Sequence, residues 1–433
     1  MQEPFKSFAK AAIRYLQGMR PSKSLHTRLI GLRALYRALT EDGNMADPTR
    51  LLPFHFNRAV ELIKERVAAT SAYQYAGQLE VIYELMVESG LLADPMSWRS
   101  PVKRYERLGK IGPEFDARRL ARIPSKAALS ALASIFNDAT HPSDVIVASV
   151  MAILCAAPER VNEVLRLTVD SEVTHRELSS GDLIYGLRWF PSKSAKPQVK
   201  WTVKSMADVV RRAFVKMIKI SAPARAVAAW YEANPDRIFL PADLEHLRGL
   251  EWLTMTELGD VLFADPVAGS VLNLWCETHG VQVLVRGATR QVRFDAVQKV
   301  VLAMLPTGFP IADPEHRLPY SQLLFLIRRN ELHKSRAVYR CMFTRPCTND
   351  INSRLSGKSH LSKSIFEKFG FREQDGRPIS ATTHQIRHYL NTLAQLGGLS
   401  QLDIALWSGR SKVAENNVYD HVSGRDVLAM VRG

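Results

Sequence analysis

Between Thr383 and Val422 the chain reads THQIRHYLNTLAQLGGLSQLDIALWSGRSKVAENNVYDHV. An amphipathic helix needs the leucines of this stretch, but not His384, Arg387, Arg410 and Tyr419. Those four are the residue types that handle a phosphate and its protons. Planar guanidinium groups bind anionic oxygens bidentately, and histidine moves a proton near neutral pH. A phenol, with a pKa of ~10, becomes a nucleophile once a base or strongly positive surroundings take its proton. Arg387 and Arg410 lie 23 residues apart, and Tyr419 follows 9 later. The pattern His-x-x-Arg is uninformative alone, because it recurs at His55–Arg58 and His333–Arg336. Only at His384–Arg387 does it open a helix-forming stretch, continue into an apolar face (Leu390, Leu393, Ala394) and lead to a glycine pair.

Positioning such a set takes a sizeable folded scaffold. At 433 residues the chain is long for one core and fits two or three domains, and its 46% hydrophobic content is that of a folded protein. Lys and Arg total 58 against 43 Asp and Glu, giving a net charge of +15, with a pI near 9.7. The basic residues are spread along the chain, which suits a protein that embraces nucleic acid over a large surface. Cys155, Cys276, Cys341 and Cys347 have no zinc-ligand spacing and read as reduced thiols of a cytosolic protein. The opening MQEPFKSFAKAAIRYLQG predicts an amphipathic helix and not a signal peptide. The longest uncharged apolar run, VIVASVMAILCAA, is too short to span a bilayer and predicts a buried core helix.

Residues 1–112 predict a helical, DNA-binding bundle. Leu25, Leu29, Leu32, Leu35 and Leu39 recur at helical spacing, with Arg28, Arg33 and Arg37 projecting elsewhere on the cylinder. SAYQYAGQLEVIYELMVESG repeats the pattern and stops at Gly90. A basic stretch broken by Pro and Gly follows, with 113–124 as the linker. Residues 125–433 form the second domain. Its helices end in CAAPERVNEVLRL, and the β-rich runs DLIYGLRWF and VKWTV flank PSKSAKPQ as a hairpin. From 221 to 345 short helices, prolines and β-like pieces (RIFLP, VQVLVRG) alternate without a motif. The expected fold is mostly α with a small β-sheet.

On these residues the chain resembles the tyrosine recombinase (phage integrase) family. That family has a His-x-x-Arg-His helix, a following helix ending in LGH, and a short helix carrying a tyrosine. In register, SGR puts Arg410 where LGH has its histidine, and Tyr419 is the nucleophile. The family's upstream arginine, with glutamate three residues on, is matched by Arg160 and Glu163 in ERVNEVLRL. Its hairpin lysine is matched in SKSAK, with Lys193 favoured and Lys196 the competitor. Two departures stand out. Arginine replaces histidine at 410, and the 191 residues from Lys193 to His384 imply an insertion at about 221–345.

The resemblance implies a chemistry that needs no metal and no cofactor. Arg160 and Arg387 would clamp the scissile phosphate, with Arg410 a third donor. His384 would serve as acid/base for Tyr419, and Lys193 would protonate the 5′-oxygen leaving group. The product would be a 3′-phosphotyrosine. Glu163 is read as orienting Arg160; Trp407 as core or a neighbour of the phosphate; His388, Tyr389 and His421 as structural. VRGATRQVRF and IRRNELHKSR are either DNA contacts or solvated basic faces. The implied partners are double-stranded recombination sites, three further protomers in a homo-tetramer and an accessory directionality factor, with no membrane and a cytoplasmic, nucleoid-associated location. Alternatives are a type IB topoisomerase or telomere resolvase, which share the chemistry, and a non-catalytic DNA-binding descendant.

Overall fold

The computed structural model describes residues 1–22, 25–41, 43, 45–92, 97–104, 117, 121–176, 181, 183–191, 196–333, 335–357, 363–408, 413 and 416. It divides into two compact units, 1–109 and 110–433. Most of the expected linker at 113–124 lies outside the described residues, and so do Lys193, Arg410, Tyr419 and His421.

The first unit holds α1 (Phe5–Met19), α2 (His26–Thr40), α3 (Pro53–Lys64) and α4 (Ala69–Glu88). Apolar positions three and four apart put Phe5, Leu32, Leu35, Phe56, Leu79, Ile82 and Met86 into one core. Gly90, with φ +62°, follows α4 in the left-handed conformation that closes a helix. The leucine stripe of α2 starts later than the spacing predicts, since Leu25 is exposed and Leu32, Leu35 and Leu39 are buried. Arg28 departs from the expected outward basic face. It is buried, donating to the Gln17 side chain (3.0 Å) and the Arg20 carbonyl (2.8 Å), and so satisfies the end of α1.

The second unit opens with α5 (Lys126–Asp138), α6 (Pro142–Ala156) and α7 (Val161–Val164), followed by strands β1 (Glu172–Arg176), β2 (Leu183–Trp189) and β3 (Gln198–Trp201). The predicted core helix is α6, with residues buried all round. It packs against α5, against the 30-residue α8 (Lys204–Ala233) and against a C-terminal helix, so apolar neighbours cover it on several sides. Burying each Val, Ile or Leu there contributes about 1.5–3 kcal/mol. The expected hairpin is β2–β3, antiparallel in the register Leu187↔Lys200, and β1 adds a third strand beside β2. A Cβ at Gly186 would come within 2.7 Å of the Lys200 carbonyl, so only glycine lets β3 approach this closely.

α8 runs past 221, through Pro223, to Ala233. Pro223 supplies no N–H to the ladder, and nearby Arg225 donates to the Ile218 carbonyl and to Ser221 Oγ. Beyond it lie β4 (Trp252–Thr254), α9 (Met255–Leu262), α10 (Gly269–His279), β5 (Val283–Arg286), β6 (Thr289–Arg293) and α11 (Phe294–Ala303). These share a core of their own. In the RIFLP piece Ile238 and Leu240 are buried without forming a strand, and the Gln298 side chain takes the Ile238 N–H that a ladder would use. Short strands β7 (Ile311–Asp313), β8 (Leu318–Pro319), β9 (Ile327–Arg328) and β10 (Phe343–Thr344) lead to α12 (Thr348–Ser356), α13 (Ile365–Lys368), α14 (Thr383–Leu396) and α15 (Gln401–Trp407). The fold is mostly helical with small antiparallel sheets, as the sequence pattern predicts.

Candidate active site

Arg160 owes its place to the proline two residues before it. A residue preceding proline is driven to extended geometry, so Ala157 (φ −152°, ψ 140°) ends α6, and the chain turns through Pro158 and Glu159. Arg160 then caps α7. Its backbone N–H donates to one Glu163 oxygen (2.9 Å) and its guanidinium to the other (3.1 Å), while the arginine side chain stays a quarter exposed. Glu163 is thereby consumed in aiming Arg160.

His384 and Arg387 sit in the first turns of α14, where the Gln385 side chain accepts the Thr382 N–H and helps fix the helix start. The two residues have different environments. Arg387 is 1% exposed and donates to the carbonyls of Pro158 and Ser408 (2.9 Å). The first bond joins positions 229 residues apart and sets α14 on the turn that carries Arg160. His384 is exposed, with its ring 4.5 Å from that of His388. Partial desolvation, then the charges of Arg387, Arg122 and Arg160, hold its pKa below the ordinary histidine value. The lowering favours the neutral imidazole, the form that can accept a proton.

Downstream, Ser408 Oγ donates to Asn391, whose own amide donates to the Arg387 carbonyl (2.6 Å). Asn416, three residues before Tyr419, is buried and donates to the backbone and side-chain oxygens of Gln401 at the start of α15. Trp407 is half-buried at the end of α15, and Lys196 is exposed just after the hairpin loop. That loop begins at Pro191, whose carbonyl accepts from Arg166 (3.2 Å) and faces His316 Nε2 (3.1 Å). Arg166 also pairs with Asp313 (3.0 Å), so the stretch from Asp313 to His316 braces the end of β2 at Pro191.

Sequence reasoning missed a buried ion pair at the centre of this arrangement. Lys200 on β3 binds the Glu159 carboxylate and donates to the Trp407 carbonyl (2.8 Å); both side chains are almost fully buried. Three elements meet there: the Arg160 turn, the lysine hairpin and the end of α15. No sequence signal marks it, because simple alternation turns Lys200 to solvent. In QVKW the apolar Val199 and Trp201 face solvent while the lysine points inward, an inverted alternation. Burial, opposed by Lys200 and aided by Glu163, pushes the Glu159 carboxyl up to about 7.

That shift has a definite sign. A carboxyl raised from 4.5 in the unfolded chain to about 7 holds its proton more tightly when folded. Its contribution to stability is full below pH 4.5 and is lost as pH rises through 7. Urea unfolding between pH 5 and 8 should therefore show the wild type losing up to about 3 kcal/mol relative to Glu159→Gln, at ~1.4 kcal/mol per pKa unit. Parallel pH profiles for the two proteins would remove Glu159 as the titrating group.

Among the described residues no group of three His, Cys, Asp or Glu side chains is placed to hold a metal ion, and no helix is long and apolar enough to cross a membrane. The four cysteines are unpaired thiols, and burial pushes those of Cys155 and Cys341 up to about 12.

No protein-family model matches the chain, and no curated protein matches it. Solved structures similar over nearly its whole length include the XerH site-specific recombinase bound to difH substrate, at 10% identity and a TM-score of 0.43, covering 99% of this chain and 84% of that one. Another is the Tn1549 transposon integrase in complex with transposon right end DNA, at 13% identity and a TM-score of 0.44, with 98% of each chain covered. XerA recombinase is similar at 14% identity with a TM-score of 0.27, covering 98% of this chain and 96% of that one.

Proposed function

We propose that this chain is a DNA strand-transferase of the tyrosine recombinase type, cutting and rejoining duplex DNA through a 3′-phosphotyrosine. The observation that carries the reading is the bond from Arg387 to the Pro158 carbonyl, which brings the His-x-x-Arg helix onto the Arg160 turn. Two arginines far apart in sequence thus lie on adjoining elements, and their charges act on the imidazole of His384.

Arg160 and Arg387 would neutralise the equatorial oxygens of the phosphorane, where fixed donors in a water-poor site act most strongly. When DNA arrives, Arg387 would offer a phosphate oxygen one of its five N–H donors, exchanging a carbonyl partner only where the geometry requires it. Such an exchange keeps a buried guanidinium hydrogen-bonded throughout, and so avoids stranding its charge. His384 takes the phenolic proton of Tyr419 as the phosphorus–oxygen bond forms. As the bond to the 5′-oxygen breaks, Lys193 protonates it, and Lys196 is the competitor for that role. Arg410 supplies a third phosphate donor; being charged at any working pH, it adds no histidine-like limb to the rate profile. Return of the 5′-hydroxyl reverses the steps, so neither metal nor cofactor enters.

The biological setting that fits is integration or excision of a mobile element. Four protomers would join two duplexes, with an accessory factor setting direction. A nicked suicide substrate, which loses its 5′-end on cleavage, tests the chemistry. The wild type should give a denaturation-resistant DNA–protein adduct in EDTA, linked to the 3′-phosphate. Loss of the adduct on chelation with recovery in Mg²⁺ would overturn this mechanism. Relaxation of supercoils in any plasmid by the lone protomer would instead make the chain a topoisomerase.

A further inference from the structure

The insertion carries a fold feature that the strand-transfer chemistry leaves unused. From Trp252 to Arg293 the order is strand, helix, six-residue connection, helix, hairpin: β4, α9, α10, β5, β6. The sheet order is β4-β6-β5, so β6 returns to lie between β4 and β5, and β5 forms a free edge. Leu253, Leu258, Val261, Leu262, Leu272, Trp275 and Val292 fill a core between sheet and helices. Thr254 caps α9 by accepting the Glu257 N–H, and the Glu257 carboxylate accepts the Thr254 N–H (2.7 Å). Gly280, at φ +67°, ends α10 and turns the chain into β5. A helix-turn-helix with a hairpin wing is a compact way to present a ribbon to a duplex.

The hairpin has the residues for that task. Register pairs Val285 with Arg290 and Arg286 with Thr289, so Arg286 and Arg290 project from opposite faces near the tip. Both are exposed, and the turn between them depends on Gly287, at φ +63°. Arg286 lies over the Trp252 ring, 4.4 Å from its centroid. Arg293 lies 5.8 Å from the same ring and is held by both oxygens of Asp295, with Glu251 at 3.8 Å. Arg293 is thus neutralised in place and shores up the tryptophan on which Arg286 rests. The charges left for a partner are those of Arg286 and Arg290. The exposed positions of α10 include Val271, Leu274 and Glu277, and no lysine or arginine occurs in that helix.

We propose that this hairpin is a second duplex-DNA contact, in which Arg286 and Arg290 bind backbone phosphates beside the segment held for cleavage. The inference rests on the reading of the chain as a DNA strand-transferase. Cations on both faces of an exposed ribbon, in a chain of net charge +15, complement a polyanion better than an apolar protein surface. Without a cation on α10 the contact is made through phosphates, and is tolerant of sequence.

The full-length chain tests this, with Arg286→Ala/Arg290→Ala and Arg286→Lys/Arg290→Lys variants titrated with salt on a long duplex. Each lost phosphate contact lowers the slope of log affinity against log salt by about 0.9, so the alanine pair should flatten it by roughly 2 per protomer. Hydroxyl-radical footprinting should show one flank deprotected and the cleavage segment still protected. The lysine pair, which keeps the charges, should hold the wild-type slope and footprint, so a slope lost through misfolding would be told apart. Wild-type slope and footprint in the alanine pair would overturn the proposal. An unchanged slope with fewer protomers on the DNA would also overturn it, making the hairpin a contact between copies. Failure of the wild type to bind duplex DNA would sink the underlying reading instead.

Discussion

Tyr419→Phe should bind duplex DNA as the wild type does and form no covalent adduct with a suicide substrate. The substitution deletes one oxygen, and that oxygen is the group proposed to bond to phosphorus. No rotation of neighbouring side chains restores it, since the remaining ring has no nucleophilic atom. Binding should survive because affinity for duplex DNA comes chiefly from cations along the phosphate backbone. Three residues before Tyr419, Asn416 is buried against Gln401. Filter binding and denaturing gels on the same samples separate the two functions. An adduct that persists in the phenylalanine variant moves the nucleophile elsewhere in the chain. Loss of both binding and adduct would point to a packing role for the ring.

The second large effect should come from Lys200→Met. Removing the lysine leaves the Glu159 carboxylate in an almost dry site beside Glu163, and breaking a buried pair in this way costs about 3–5 kcal/mol. The loss should be greater at pH 8.5 than at pH 6, because at the lower pH Glu159 takes up a proton in place of its partner. A double variant, Glu159→Leu/Lys200→Met, strands neither charge and should regain most of the stability in urea unfolding. One bond does not return, the donation from Lys200 to the Trp407 carbonyl. An unmet buried carbonyl costs about 1–3 kcal/mol, and it frees the end of α15 from the hairpin and the Arg160 turn. The double variant should therefore fold and bind DNA yet form adduct more slowly. Full recovery of the adduct rate along with stability would reduce the pair to a packing feature. No stability loss in Lys200→Met would show that the pair is not buried in solution.

The local chemistry of the chain was readable before its fold. The leucine periods, Gly90, the run Val145–Ala157 and the alternation flanking PSKSAKPQ predict helices and a hairpin that the structure contains, because those signals act within a few residues. The RIFLP piece failed for the complementary reason. Ile238 and Leu240 are buried as a strand's residues would be, but a side chain 60 residues away takes the Ile238 N–H that a ladder would use. Arg28 shows the same limit, since its outward face is cancelled by the end of α1.

Residue type and spacing by themselves singled out His384, Arg387, Arg410 and Tyr419, because the covalent chain sets the order and offset of those groups, while Arg160 and Glu163 came only through the family resemblance. Which of them meet was decided only in three dimensions. Arg387 reaches the Arg160 turn through a bond spanning 229 residues. Lys200 finds Glu159 across 41 and Trp407 across 207. A lysine in an alternating strand is read from sequence as solvent-facing, since burying its charge alone costs several kcal/mol. The cost is offset only when a carboxylate and a carbonyl arrive from elsewhere in the chain, and nothing within a few residues of Lys200 announces them.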